Sequence, residues 1–368
     1  MSLEGFSAAQ LAHIGAISLD HYIRGPLWQI GIQAKPLLEK LEAKARPFDA
    51  AKEKISIGVK FQRGAGGVND GVKGYSASTP VTFYNPANGL RAEYVWREHH
   101  IGYTLDETQL KTQGLLVGDE FEKKIRGRGD RGLTILAKIL DEANEDFMER
   151  YKETMNALMW GDGTADTSAL HGMRAFITDV PTIGVKGGLS CATHSRWRNR
   201  ARTAAFAAHG SFSAAHGGNR ITSAVADGGA LLTALDTEMV QLRRYGGAPN
   251  TALAGSDFID AMKKEMRANG QYYTITSEMK AGMDASIPKV SFSGIEYKYD
   301  PTLDDLGRSK FAYIWDDRHI YLSPLEGDWK RLRDPARPFN QFVMHKSLIC
   351  TGQVIAKQLD SALVIEIA

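Results

Sequence analysis

Two cysteines in 368 residues, Cys191 and Cys350, are too few and too far apart for a disulfide scaffold or a cysteine metal site. They fit reduced thiols in a protein assembled inside a cell. Charge of one sign is also missing. The chain has 45 Lys and Arg against 43 Asp and Glu, a net charge of +2, so it lacks the basic excess with which a free-standing nucleic-acid binder neutralises phosphates. No apolar run approaches the roughly 18 to 20 residues that span a bilayer, and no basic segment leads into an apolar core at the start. A membrane anchor and a signal peptide are therefore not expected. The G-x-S-x-G, H-E-x-x-H and G-x-x-x-x-G-K-S/T patterns are absent too, and with them the common hydrolase, metalloprotease and nucleotide-phosphate signatures. There is no internal repeat and no low-complexity tract.

What is present begins with length, since 368 residues exceed one ordinary core and predict two or more domains. The first ~50 residues mix short apolar clusters with the alternately charged "PLLEKLEAKARPFDAAKEK", which reads as a short surface helix broken before Pro47 and gives the region the character of an arm. From Ile55 to about Gly118, "ISIGVKF" and "RAEYVWREHHIGYTL" read as two strands joined by a long extended excursion rich in Gly, Asn and Ser. Loops of that length generally serve a function outside their own domain. From about Asp130 to Trp160 the apolar positions Leu136, Leu140, Ala143, Phe147, Tyr151, Met155 and Leu158 form one helical stripe. A helix of that length runs ~45 Å at 1.5 Å per residue and acts as a strut. Gly161 reads as its C-cap, and "GDGTADTSALHG" as a hinge between domains. Further on, Leu231, Leu235, Met239 and Leu242 mark a helix ending at Gly246-Gly247; "APNTALAG" is a turn and buried strand; and Ser256 caps a helix whose Ile259, Met262 and Met266 face inward. The remainder is β-rich, with "FAYIWDDRHIYLSP" reading as a hairpin.

Several patterns invite chemistry and do not carry it. Gly127, Gly129 and Gly132 spell G-x-G-x-x-G before the long helix, but the preceding "DEFEKKIR" cannot be the buried strand a dinucleotide site requires. The Arg128-Gly129-Asp130 tripeptide within it is too short to specify adhesion. Asp162 and Asp166 could suggest a metal loop, yet the D-x-D/N-x-D/N-G spacing and its distal glutamate are missing. His99 and His100 point to opposite faces of one strand, and His194, His209 and His216 lie in Ala/Gly-rich loops without a spaced carboxylate or cysteine partner. The basic cluster Lys123, Lys124, Arg126, Arg128 and Arg131 favours a protein partner over nucleic acid at near-neutral net charge. No catalytic, cofactor-binding or metal-binding residue is assigned.

The order of elements, with "ALMWGDGT" and "ALHGM" after the long helix, Trp197 in "HSRWRNRA", "ALDTEMVQLRRYGGAPNTALAGSDFIDAMKKEMR", and "GIEYKYDP" followed by "FAYIWDDRHIYLSP", resembles the major capsid proteins of tailed double-stranded DNA bacteriophages. The resemblance implies an α+β, Hong Kong 97-like fold. It divides the chain into an N-terminal arm (1–54), an extended two-stranded loop (55–118), a peripheral domain with the spine helix (119–188), an axial domain (189–325), peripheral strands (326–359) and a terminal axial strand (360–368). It further implies a structural protein, not an enzyme, that self-assembles as pentamers and hexamers into an icosahedral head around double-stranded DNA. The head is a virion component built in the host cytoplasm. A separate scaffolding protein, a portal and a decoration protein are the partners it suggests; no cofactor, membrane or sequence-specific DNA contact is expected, and no inter-subunit cross-link. An encapsulin-type compartment shell is the alternative within the fold, and a nucleotide-dependent oxidoreductase the alternative outside it.

Overall fold

A computed structural model of the chain describes residues 33–49, 53–60, 75–78, 89–106, 130–164, 166, 168–221, 230–268, 290–336 and 343–368, with the side chains of 105, 130–144, 334–336 and 344 outside that description. In chain order the elements are α1 (Pro36–Ala43), β1 (Lys54–Lys60), β2 (Gly89–Val95), β3 (Arg97–Asp106), α2 (Asp130–Trp160), α3 (Met173–Phe176), β4 (Val185–Lys186), β5 (Leu189–Ser190), β6 (Arg200–Arg202) and α4 (Ala204–Ala208). There follow β7 (Gly217–Gly218), α5 (Ala230–Arg243), β8 (Thr251–Ala254), α6 (Ser256–Ala268), β9 (Val290–Phe292), β10 (Ile295–Tyr299) and α7 (Pro301–Asp305). The last five are β11 (Phe311–Trp315), β12 (Ile320–Pro324), β13 (Arg331–Ala336), β14 (Val343–Ala356) and β15 (Leu363–Glu366). The chain forms two compact units. One takes His99–Met155 and Gly327–Cys350, the other Ala34–Glu98, Asn156–Glu326 and Thr351–Ala368.

In the first unit β3 and β13 pair with β14, and most of α2 belongs here. Phe147 and Tyr151 are buried on the predicted stripe. Phe147 meets Tyr103 edge to face at 5.2 Å, and the Tyr151 hydroxyl accepts a bond from the Cys350 thiol.

The second unit is organised by a seven-stranded mixed sheet in the order β7-β6-β15-β11-β8-β10-β9. Residues Ala252, Ala254, Ala312, Ile314, Leu363 and Ile365 join the apolar faces of α5 and α6 in one core. The alternate residues Leu253, Tyr313 and Val364 are equally buried, with the Trp160 ring 5.0 Å from that of Tyr313. Both faces are covered, which is why these strands are continuous apolar runs rather than alternating ones. Leu231, Leu235, Met239 and Leu242 are buried as the α5 spacing predicts, as are Ile259, Met262 and Met266 on α6.

Several expectations are corrected. α1 is not a surface helix: Leu37, Leu38 and Leu41 are buried, and the Leu38 amide donates to Asn156 Oδ1 at 3.0 Å. Asn156 donates in turn to Thr302, and Trp160 Nε1 to Asp300 at 2.7 Å, so the end of α2 is tied by polar groups where an apolar stripe is expected. Its next buried apolar position after Met155 is Met159, a full turn on, while Leu158 is half-buried. The "GDGT" turn lies inside the second unit, because the division falls at Met155 and Asn156 within the helix. Gly172 approaches the Leu158, Met159 and Gly161 carbonyls so closely that any Cβ would collide.

"RAEYVWREHHIGYTL" is two strands split at Trp96: β2 pairs with β1, β3 with β14. β1 and β2 align Ile55 with Tyr94, Ile57 with Ala92 and Val59 with Leu90, the expected antiparallel pair with one apolar face. The loop between them lies outside the described residues apart from 75–78. β11 and β12 do not form a hairpin. β11 pairs with β15 and β8, β12 with β14. Between them the Asp316 carboxylate accepts from the Ala248 and Arg318 amides at 3.0 Å and from the Arg318 guanidinium, turning the chain from one sheet to another. The N-cap of α6 is also not Ser256, which is its first helical residue; its amide donates to Asp304 Oδ1 at 3.0 Å, so a distant carboxylate does the capping.

Candidate functional site

Gly127 and Gly129 lie outside the described residues, as do Lys123, Lys124, Arg126 and Arg128; Asp130, Arg131 and Gly132 are already the first turn of α2. The third glycine of the pattern is thus helical. His99 and His100 are adjacent on β3. Asp162 Oδ1 accepts from the Thr164 amide and hydroxyl, which hold its carboxyl below the usual range, and Asp166 Oδ1 accepts from the Ser168 amide at 2.7 Å. Each aspartate closes its own turn. Among the described residues no three His, Cys, Asp or Glu side chains group as a metal site, and no helix is long and apolar enough to cross a membrane.

Two clefts of the second unit concentrate polar side chains. The first, of about 570 Å3, is bordered by Arg97, Asp162, His171, Arg174 and Lys186. Lys186 is buried, and burial pushes its amine down to about 8. All three ammonium directions are used, by Phe176 O at 2.7 Å, Thr178 Oγ1 at 3.1 Å and Asn199 Oδ1 at 2.9 Å. Asn199 also donates to the Thr178 and Arg200 carbonyls, and Trp197 Nε1 to Lys186 O at 2.8 Å. The lysine is a tie between loops, and Trp197 is one of its locks. Cys191 donates its thiol proton to Trp197 O.

The second cleft, of about 670 Å3, has five arginines on its walls: Arg196, Arg198, Arg200, Arg202 and Arg244. Glu238 of α5, its side chain 1% exposed, accepts from both Arg200 and Arg202. That pair of charge-assisted bonds pins β6 to α5. His216 is half-buried here and lowered to about 4, first by burial and then by Arg198, Arg200 and Arg196. His194 and His209 are not among the cleft-lining residues; the His209 ring accepts from the Ser211 amide at 3.1 Å. The sequence reading missed this arginine group, although arginine at 196, 198, 200 and 202 is a period of two, the signature of one face of an extended chain.

No protein-family model and no curated protein sequence matches the chain. Solved structures do. A chain of the cyanophage A-1(L) capsid is 15% identical with a TM-score of 0.61, the match covering 93% of this chain and 94% of that one. A capsid chain of Myoviridae phage XM1 is 9% identical with a TM-score of 0.51 and 100% of both chains covered. The capsid of an empty GTA particle gives 13% identity, a TM-score of 0.50 and coverage of 94% and 96%. Across nearly its whole length the chain has the capsid fold of tailed bacteriophages that the order of its sequence elements predicts.

Proposed function

We propose that the chain is the shell subunit of a phage-type capsid, assembling with copies of itself as pentamers and hexamers around double-stranded DNA. The single observation that carries the reading is the likeness to capsid chains over nearly the whole of this sequence, 93% of it against the cyanophage subunit. Surface chemistry supports it. In the second unit Val185 and Val240 are 67% and 68% exposed, and Ile183, Phe212 and Tyr299 are exposed as well, apolar area that neighbouring copies would cover.

In this reading residues 1–54 are the N-terminal arm, 55–118 the extended loop, 119–188 the peripheral domain with the spine helix, 189–325 the axial domain, 326–359 peripheral strands and 360–368 the terminal axial strand. The antiparallel β1–β2 ribbon, the 31-residue α2 and the place of β15 beside β11 support these elements, whereas the two compact units group most of β3 with the strands after Gly327 and residues 156–188 with the second unit. A scaffolding protein, a portal and a decoration protein are the further partners, and the virion is the destination.

The test is expression of the full chain with and without residues 1–32, followed by nuclease treatment and sizing of particles. Residues 36–48 stay, because α1 packs within its own unit. The full chain, with its scaffolding partner, is expected to give particles that protect DNA, and the truncated chain a folded subunit that no longer closes uniform shells. Particles that carry protein cargo other than the scaffold, and no DNA, would identify a compartment shell instead. A full chain that stays a small globule, with and without the scaffold, would overturn the reading.

A further inference from the structure

Among the described residues, the five arginines of the second cleft share its lining with two carboxylates, Glu238 and Asp360. Glu238 is consumed by Arg200 and Arg202. Arg198 is held by backbone, its guanidinium donating to the Cys191 and Ala192 carbonyls, and Arg200 also donates to Ala215 O at 2.7 Å. Arg196 and Arg244 both pack on the Tyr245 ring, at 3.6 and 5.3 Å from its centroid. Among the described residues, no salt bridge neutralises Arg196, Arg198 or Arg244. Three guanidiniums without a salt bridge, Arg196 among them within electrostatic reach of Asp360, therefore line one concavity of about 670 Å3, the size range of small-ligand sites.

A buried carboxylate, two carbonyls and an aromatic ring fix these groups before any ligand arrives, which lowers the ordering cost of binding. Burial first, and then Arg198, Arg200 and Arg196, hold the His216 imidazole well below its usual range, consistent with the arginines around it. Three cationic forks around one hollow match phosphate groups, whose anionic oxygens accept from planar guanidiniums in pairs. We propose that this cleft is a phosphate-binding site that takes a compact polyphosphate or the phosphates of a nucleic-acid backbone. The proposal does not rest on the shell reading, since it concerns one subunit.

Titration calorimetry of the full chain, with sodium tripolyphosphate and separately with a short DNA duplex, tests it. Arg196→Gln combined with Arg244→Gln should weaken binding at least tenfold, while Arg243→Gln, whose side chain donates to Ser293 O instead, should leave it unchanged. Should the double variant melt early, the His216 titration in the unaltered chain stands in: tripolyphosphate should shift it upward, because a bound anion offsets the arginines. Binding of tripolyphosphate alone assigns the site to free polyphosphate. Binding of the duplex as well, with the same tenfold loss, assigns it to nucleic-acid backbone. No binding of either probe at about 1 mM, equal binding by a folded double variant, or an unmoved His216 would each overturn the proposal.

Discussion

Glu238→Gln removes one negative charge and almost no volume from the most buried acidic group of the arginine cleft. The carboxylate is 1% exposed, Arg200 12% and Arg202 25%. Removing one partner of a buried ion pair costs about 3 to 5 kcal/mol, because the remaining charge stays desolvated without compensation. Arg200 keeps the Ala215 carbonyl, and Arg202 can swing toward solvent, which sets the expected cost at about 3 kcal/mol. That energy is local, since the pair joins β6 to α5 at one edge of the sheet. Native-state hydrogen exchange on a peptide covering residues 196–218 is the assay: its amides should open with a free energy lower by about 3 kcal/mol, while those of α2 stay unchanged. Asp236→Asn, on the exposed face of the same helix, should change neither. A cost under about 1 kcal/mol for Glu238→Gln would mean that the two arginines do not depend on the carboxylate.

Phe147→Ala should destabilise the first unit by about 3 to 5 kcal/mol, since the ring is 6% exposed and packs edge to face on Tyr103; Glu145→Gln should stay within about 0.5 kcal/mol, and urea unfolding separates the two. Lys186 has its folded pKa lowered to about 8 from 10.5, so the folded state binds fewer protons between those values and stability rises with pH there. Relative to Lys186→Met, the unaltered chain should gain on the order of 3 kcal/mol across that window and lose it again as pH falls through about 8; parallel urea midpoints for the two proteins would contradict this. Gly217, at φ +147° and paired with Ala201, leaves no room for a Cβ beside the Ala201 carbonyl, so Gly217→Ala should cost at least about 3 kcal/mol and strip exchange protection from β6.

What the sequence discloses is what periodicity encodes. The apolar steps of α5 and α6, and of α2 at Phe147, Tyr151 and Met155, are local and survive in the fold, as does the run of small apolar residues in β8. Strand partners are not local. Nothing in "YVWRE" distinguishes one long strand from two that pair with different partners on either side of Trp96, and nothing in "IWDDRHI" shows that Asp316 reaches Ala248 to carry the chain between sheets instead of closing a hairpin. α1 reads as a surface helix because its charges alternate, yet its three leucines are buried and the Leu38 amide donates to Asn156, 118 positions away. The arginine cleft needs both kinds of information. Its period of two is visible in the sequence, but the buried Glu238 that fixes it sits among apolar α5 positions and is recognisable only once β6 lies beside it.

The central claim is that this chain builds a closed shell from copies of itself, and electron microscopy of the full chain, alone and with a candidate scaffolding protein, tests it most directly. The account predicts closed particles whose averaged images resolve rings of five and six subunits. A uniform small globule under every condition, with no rings, tubes or shells, would contradict it.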